Sequence, residues 1–170
     1  MTLVTGQNDF REHAFTLIEL IFVLALLVIV TSIVVPSMSR FIRGRALDSE
    51  STRIIAFMHV AQSRAVSEGM PMMFWVNAAQ GQYGVAEETS GKNGDPVAEE
   101  LNLDGTLKIA VLNGGVGAQT SFKGMPAIRF LPDGTIDESS PQTVQLMDTD
   151  GFTRTLIELP TRTGYEIGNN

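Results

Sequence analysis

The sequence predicts an α+β protein: a long N-terminal helix, apolar all round in its first half and amphipathic in its second, packed on an antiparallel β-sheet domain. Three observations predict it. The run from Phe15 to Val35 carries one charged residue, Glu19. The stretch after it repeats apolar residues at helical spacing. Beyond Gly69 the pattern becomes that of short strands punctuated by turn residues.

The elements follow in order. Residues 1–14 read as a polar leader and 15–35 as a membrane-spanning helix. As a helix, that apolar run is about 30 Å long at ~1.5 Å per residue, enough to cross a hydrocarbon core. A secretory signal peptide has a shorter apolar region and a small-residue cleavage site, and "VVPSMSRFIRGR" offers none. A buried helix apolar on every side needs a larger protein around it than this 170-residue chain supplies. Residues 36–69 read as an amphipathic continuation, with Leu47, Ile54, Met58, Ala61 and Ala65 on one stripe. Arg45, Asp48, Gln62 and Arg64 fall on the opposite face. Gly69 and Pro71 supply the stop.

Residues 70–170 read as the β domain. "PMMFWVN" and "QYGVAE" form a hairpin across "AAQG", and "ETSGKNGDPVAEE" is an exposed loop. "TLKIAVLN", "AIRFLP", "TVQLMD" and "TLIELP" are further strands. Turns at Asn113-Gly114-Gly115, Pro132-Asp133-Gly134 and Asp150-Gly151 separate them.

Composition excludes some chemistry. Net charge is −7, whereas a general nucleic-acid binder needs a basic surface to neutralise phosphates. There is no cysteine, hence no disulfide and no thiolate metal site. His13 and His59 build no catalytic motif, and a membrane-tethered enzyme finds no acid/base pair to support it. "NGGVGAQ" has neither glycine-loop spacing, so it reads as a turn. Asp148 and Asp150 before Gly151 hint at a calcium loop but lack its third oxygen ligand and distal glutamate, so a hairpin turn is the better reading. No metal or other cofactor is expected.

One residue stands out. A carboxylate at the centre of a span costs about 2.5–3.5 kcal/mol on insertion scales, so Glu19 calls for a partner or a place at the interface. "AFTLIEL" followed by the long apolar run resembles the N-terminus of type IV pilin-like proteins. The resemblance implies that a prepilin peptidase cuts between Ala14 and Phe15 and that Phe15 becomes N-methylated. The family normally has glycine before the cut, where this chain has Ala14. It also implies that Glu19 is an assembly residue, sitting near the N-terminal amine of a neighbouring subunit in a filament. Pro36 falls where many members carry a helix-kinking proline. Arg40, Arg43 and Arg45 follow the span, and counting charges alone would leave the C-terminal domain in the cytoplasm. The resemblance implies the opposite: a single-pass protein of the cell inner membrane with a periplasmic domain.

The second half narrows the likeness. "QSRAVSEG", "IRFLPDGTID" and the closing "TRTGYEI" resemble the pseudopilin H domain of type II secretion and of fimbrial protein T of type IV pili. The resemblance implies a minor pseudopilin, a structural subunit taking part in protein export. Expected partners are other pseudopilin subunits, the prepilin peptidase and inner-membrane lipid. The alternative is a minor pilin of a type IV pilus, with or without DNA binding for uptake. Arg154 and Arg162 would serve that role, but Asp148, Asp150, Glu158 and Glu166 lie beside them and the local balance is acidic.

Overall fold

The structure is a computed structural model that describes residues 16–89, 95–112 and 120–168, with backbone only at 35–37 and 39–43. The expected leader, Ala14 and Phe15 lie outside the described residues, as does the turn at Asn113-Gly114-Gly115. The chain divides into two compact units, Met1–Phe41 and Ile42–Asn170.

Helix α1 covers Leu17–Glu68. Its backbone remains helical through Pro36; the side chain of Pro36, and with it the expected kink, lies outside the described residues. The helix ends at Gly69, which takes φ +67°, a left-handed conformation open to glycine at little steric cost. Pro71 two residues on forbids a further turn.

Nine strands follow among the described residues: β1 (Met72–Asn77), β2 (Gln82–Glu87), β3 (Glu99–Asn102), β4 (Leu107–Leu112), β5 (Ser121–Phe122), β6 (Met125–Phe130), β7 (Thr143–Asp148), β8 (Thr153–Glu158) and β9 (Tyr165–Ile167). They form two sheets with every pairing antiparallel, ordered β3-β2-β1-β6-β5 and β4-β7-β8-β9. The expected hairpin is β1–β2, and the Asp150-Gly151 turn joins β7 to β8.

The core of the second unit lies between the helix and both sheets. All five residues of the expected stripe are buried there, with Ile54, Ala61 and Ala65 at 0% exposure. They pack with Phe74, Tyr83, Ile128, Leu146 and Leu156 from the strands. Removing each large aliphatic side chain from water contributes about 1.5–3 kcal/mol. Phe57, off the stripe, is buried too and meets Tyr83 edge-on with ring centroids 5.8 Å apart. A smaller cluster of Met73, Trp75, Ala86, Phe122 and Ala127 covers the other face of the five-stranded sheet.

The structure corrects one sequence expectation. Glu99 and Glu100, placed in an exposed loop, belong to strand β3. Charged residues are tolerated there because β3 is an edge strand, with only Leu101 packed against the core. The face opposite the stripe is also engaged with the domain. Gln62 Nε2 donates to the carbonyls of Gly134 and Thr163, both at 2.7 Å. Arg64 pairs with Asp95 at 3.1 Å and Glu68 at 2.8 Å, and Asp48 pairs with Arg154 at 2.7 Å. Glu50, buried on the helix, accepts from the Tyr83 hydroxyl at 2.8 Å. Burial first, then this carboxylate, pushes the Tyr83 phenol well above its ordinary value.

Candidate functional site

Within the first unit, Leu17–Val34 has mean hydropathy 3.0 and none of it is buried. Its large apolar side chains are 49–77% exposed on every side of the helix. It is long and apolar enough to cross a membrane, and among the described residues it is the one helix that is.

Polar atoms on such a surface must be satisfied from within. Thr31 Oγ1 donates to the Leu27 carbonyl at 2.8 Å and lies 3.0 Å from that of Val28. Ser32 Oγ donates to the Ile29 carbonyl at 2.7 Å. Both hydroxyls are thus folded back onto their own helix and ask nothing of the surroundings. Glu19 is different. It is exposed in the first turn, and among the described residues its carboxylate meets no cation.

Local sequence explains why the helix begins where it does. The Glu19 amide donates to Thr16 Oγ1 at 3.3 Å, and the Leu20 amide to the Thr16 carbonyl at 3.1 Å. Thr16 is therefore the N-cap, and Glu19 sits at the third helical position, where the positive end of the helix dipole favours a carboxylate. Sequence reasoning weighed Glu19 for assembly and missed Thr16. The signal was available: threonine followed three residues later by glutamate is capping-box spacing.

The remaining candidates resolve into structural roles. Asp148 Oδ1 accepts the amides of Asp150 and Phe152, each at 2.9 Å, which shapes the β7–β8 turn. No group of three metal-ligating carboxylates or histidines occurs among the described residues. His59 Nδ1 lies 3.4 Å from Gln62 Oε1 on an exposed helix face. The arginines weighed for DNA are engaged: Arg154 with Asp48, and Arg162 with Glu138 at 2.9 Å.

Comparison with known proteins follows the same division of the chain. A family model described as type II transport protein GspH matches residues 50–158. A second, the prokaryotic N-terminal methylation motif, matches residues 9–35 and so brackets both the Ala14–Phe15 junction and Glu19. Two solved structures of the minor pseudopilin EpsH from the type II secretion system of Vibrio cholerae resemble the fold. One has TM-score 0.54 and 11% identity, covering 72% of this chain and 95% of its own. The other has TM-score 0.54 and 11% identity, with coverage of 74% and 97%. At that identity they speak for the fold alone. No curated protein sequence matches the chain.

Proposed function

The chain belongs to the family of type II transport protein GspH, the minor pseudopilins of type II secretion, and on that premise we propose that Glu19 and its apolar helix are the assembly element. Cleavage between Ala14 and Phe15 frees the amine of Phe15, which is then methylated; the match of the methylation motif to residues 9–35 supports this. Leu17–Val34 spans the inner membrane, and the second unit lies in the periplasm. When subunits stack, Glu19 approaches the N-terminal amine of a neighbour. Opposite charges attract far more strongly in hydrocarbon than in water, so the pair offsets the desolvation that each would otherwise bear. The partners are other pseudopilins and the prepilin peptidase. The protein acts as an assembly subunit and no enzyme.

One observation carries the reading. Thr31 and Ser32 are satisfied inside the helix, while the carboxylate of Glu19 is left exposed on an apolar surface. The type IV pilus alternative with DNA binding has less support, because its two candidate arginines are held in ion pairs. The test compares wild type, Glu19→Leu and Glu19→Asp at equal membrane levels, by co-purification with other pilin-like subunits and by a secretion assay. The leucine variant inserts at least as well as wild type, yet incorporation and secretion fall; the aspartate variant is intermediate. Normal incorporation of the leucine variant would remove the assembly role. Mass spectrometry of the membrane-extracted protein tests processing, and a retained Met1 in cells with active peptidase would exclude it.

A further inference from the structure

Among the described residues the five-stranded sheet has an open edge, and its hydrogen-bonding phase can be read from one bond. The Leu103 amide donates to the Gly81 carbonyl at 2.8 Å, so Leu103 and Gly81 form a hydrogen-bonded pair. In antiparallel pairing such pairs alternate. With Tyr83 opposite Leu101 and Val85 opposite Glu99, those are the next bonded pairs. Glu100 and Asn102 therefore turn their amides and carbonyls away from β2. Strand β3 is an outermost strand, so among the described residues these four groups meet no other strand.

Beside this edge lies a hollow of about 550 Å³ on the sheet face that turns away from the helix. Both edges of the sheet line it: Glu99 and Glu100 of β3 on one side, Phe122 of β5 and Lys123 of the turn after it on the other, with Trp75 and Met125 between. Gly84 makes room for it. A Cβ there would collide with the Trp75 ring and would come within 2.6 Å of the Glu99 carbonyl. Glycine thus lets the indole lie across β2, close to the open edge. The β5–β6 turn, with φ +51° at Lys123 and +81° at Gly124, holds the lysine amine 5.0 Å from the Phe122 ring centre.

We propose that the open edge of β3 and the adjoining hollow take an extended, lysine- or arginine-bearing segment of another protein as a sixth strand. These four backbone groups, unpaired among the described residues, specify an extended chain, since only a strand can meet amides and carbonyls alternating along an edge. Glu100, on the face of the hollow, and Glu99, on the opposite face of the same edge strand, specify its charge. Acidic residues also guard an edge against self-pairing, and they do so here against a second copy of this chain, whose net charge is −7. The same carboxylates attract a basic strand, and those of its long side chains on the Glu100 face reach over the rim towards Trp75. The inference concerns the second unit and is independent of the role given to Glu19.

Trp75 is the only tryptophan in the chain, so its fluorescence reports on the hollow directly. The full-length protein in non-ionic detergent micelles is titrated with a capped hexapeptide of alternating lysine and valine. Its glutamate–valine counterpart is titrated in parallel, as are two lysine peptides N-methylated on one or the other alternate set of amides. The lysine peptide produces a saturable shift in Trp75 emission that weakens with salt. The glutamate peptide and one of the two N-methylated peptides bind at least about tenfold more weakly, a difference of about 1.4 kcal/mol. Glu100→Lys, at an exposed edge position, loses the response to the lysine peptide. Equal responses to both charges, equal binding of both N-methylated peptides, or no response at all would overturn the proposal. So would a concentration-dependent shift in the absence of peptide, which would assign the edge to a second copy.

Discussion

The two halves of helix α1 solve opposite problems. From Leu17 to Val34 every large apolar side chain is exposed, and hydroxyls bond to the helix that carries them. From Leu47 to Ala65 one stripe is buried, and the polar side chains reach segments far away in sequence: Asp48 to Arg154, Glu50 to Tyr83, Gln62 to Gly134 and Thr163, Arg64 to Asp95. The first half leaves its apolar surface for the surroundings to cover. The second is completed by its own domain. The contrast teaches that hydrophobic content alone does not tell an interior from a lipid-facing surface; the reach of the polar groups does.

The largest effect expected from this contrast is on truncation. A fragment of residues 42–170 retains the whole second core and is expected to be soluble and folded. A fragment of residues 70–170 lacks the helix stripe and is expected to be aggregated or unfolded. Size-exclusion chromatography and circular dichroism compare them. A well-folded 70–170 fragment would break the claim that the helix completes the domain.

Single substitutions sharpen the same point. Ile54→Ala empties a fully buried site and is expected to cost about 2–5 kcal/mol in denaturant unfolding of the domain. Ile21→Ala, on the exposed half, is expected to change domain stability by less than about 0.5 kcal/mol.

Acid provides a third probe. Burial alone would raise the Asp95 carboxyl, but the amides of Val97 and Glu87 and the Arg64 guanidinium outweigh it and hold Asp95 below the usual aspartate value. A folded value below the unfolded one means that Asp95 contributes fully above the unfolded value, ~3.9, and that the contribution is lost as pH falls through the folded value. Asp95→Asn is therefore expected to lose about 1–3 kcal/mol at neutral pH. The gap between it and wild type should close below about pH 4, measured as denaturation midpoints between pH 6 and 3.

Gln62→Ala is expected to cost less than Ile54→Ala, at about 1–2 kcal/mol, because its carbonyl acceptors are partly within reach of water. A cost indistinguishable from zero would mean that the polar face is a bystander and the stripe alone fixes the helix.

Much of this was legible in the sequence because it rests on periodicity. The stripe from Leu47 to Ala65 was readable from spacing, and strands β2 and β7 match the predicted "QYGVAE" and "TVQLMD" residue for residue. Strands β3, β5 and β9 were not readable. They have four, two and three residues, too few for alternation to show, and β3 owes its existence to a neighbour rather than to its own Glu-Glu-Leu-Asn. The split into two sheets was hidden for a related reason: which strand pairs with which is fixed by closure of a shared core. The single carboxylate of the apolar helix was plain from composition. The tertiary partners of Gln62 and Arg64 were not, because long-range hydrogen bonds leave no periodic trace.

The long reach of those contacts also sets an order of events during synthesis. Asp48 and Arg154 are 106 residues apart, and Gln62 and Thr163 are 101 apart. Tyr165, in the last strand, belongs to the same core cluster as Leu47. The domain therefore cannot close until nearly all of the chain has emerged. At ribosomal rates of about 5–20 residues per second, the stripe waits on the order of ten seconds for its final partners. Throughout that interval the nascent chain presents an apolar, half-finished helix, and its contact order places closure among the slower folding reactions. Holding that helix in solution during the wait is work for whatever receives the chain as it leaves the ribosome or the translocation channel.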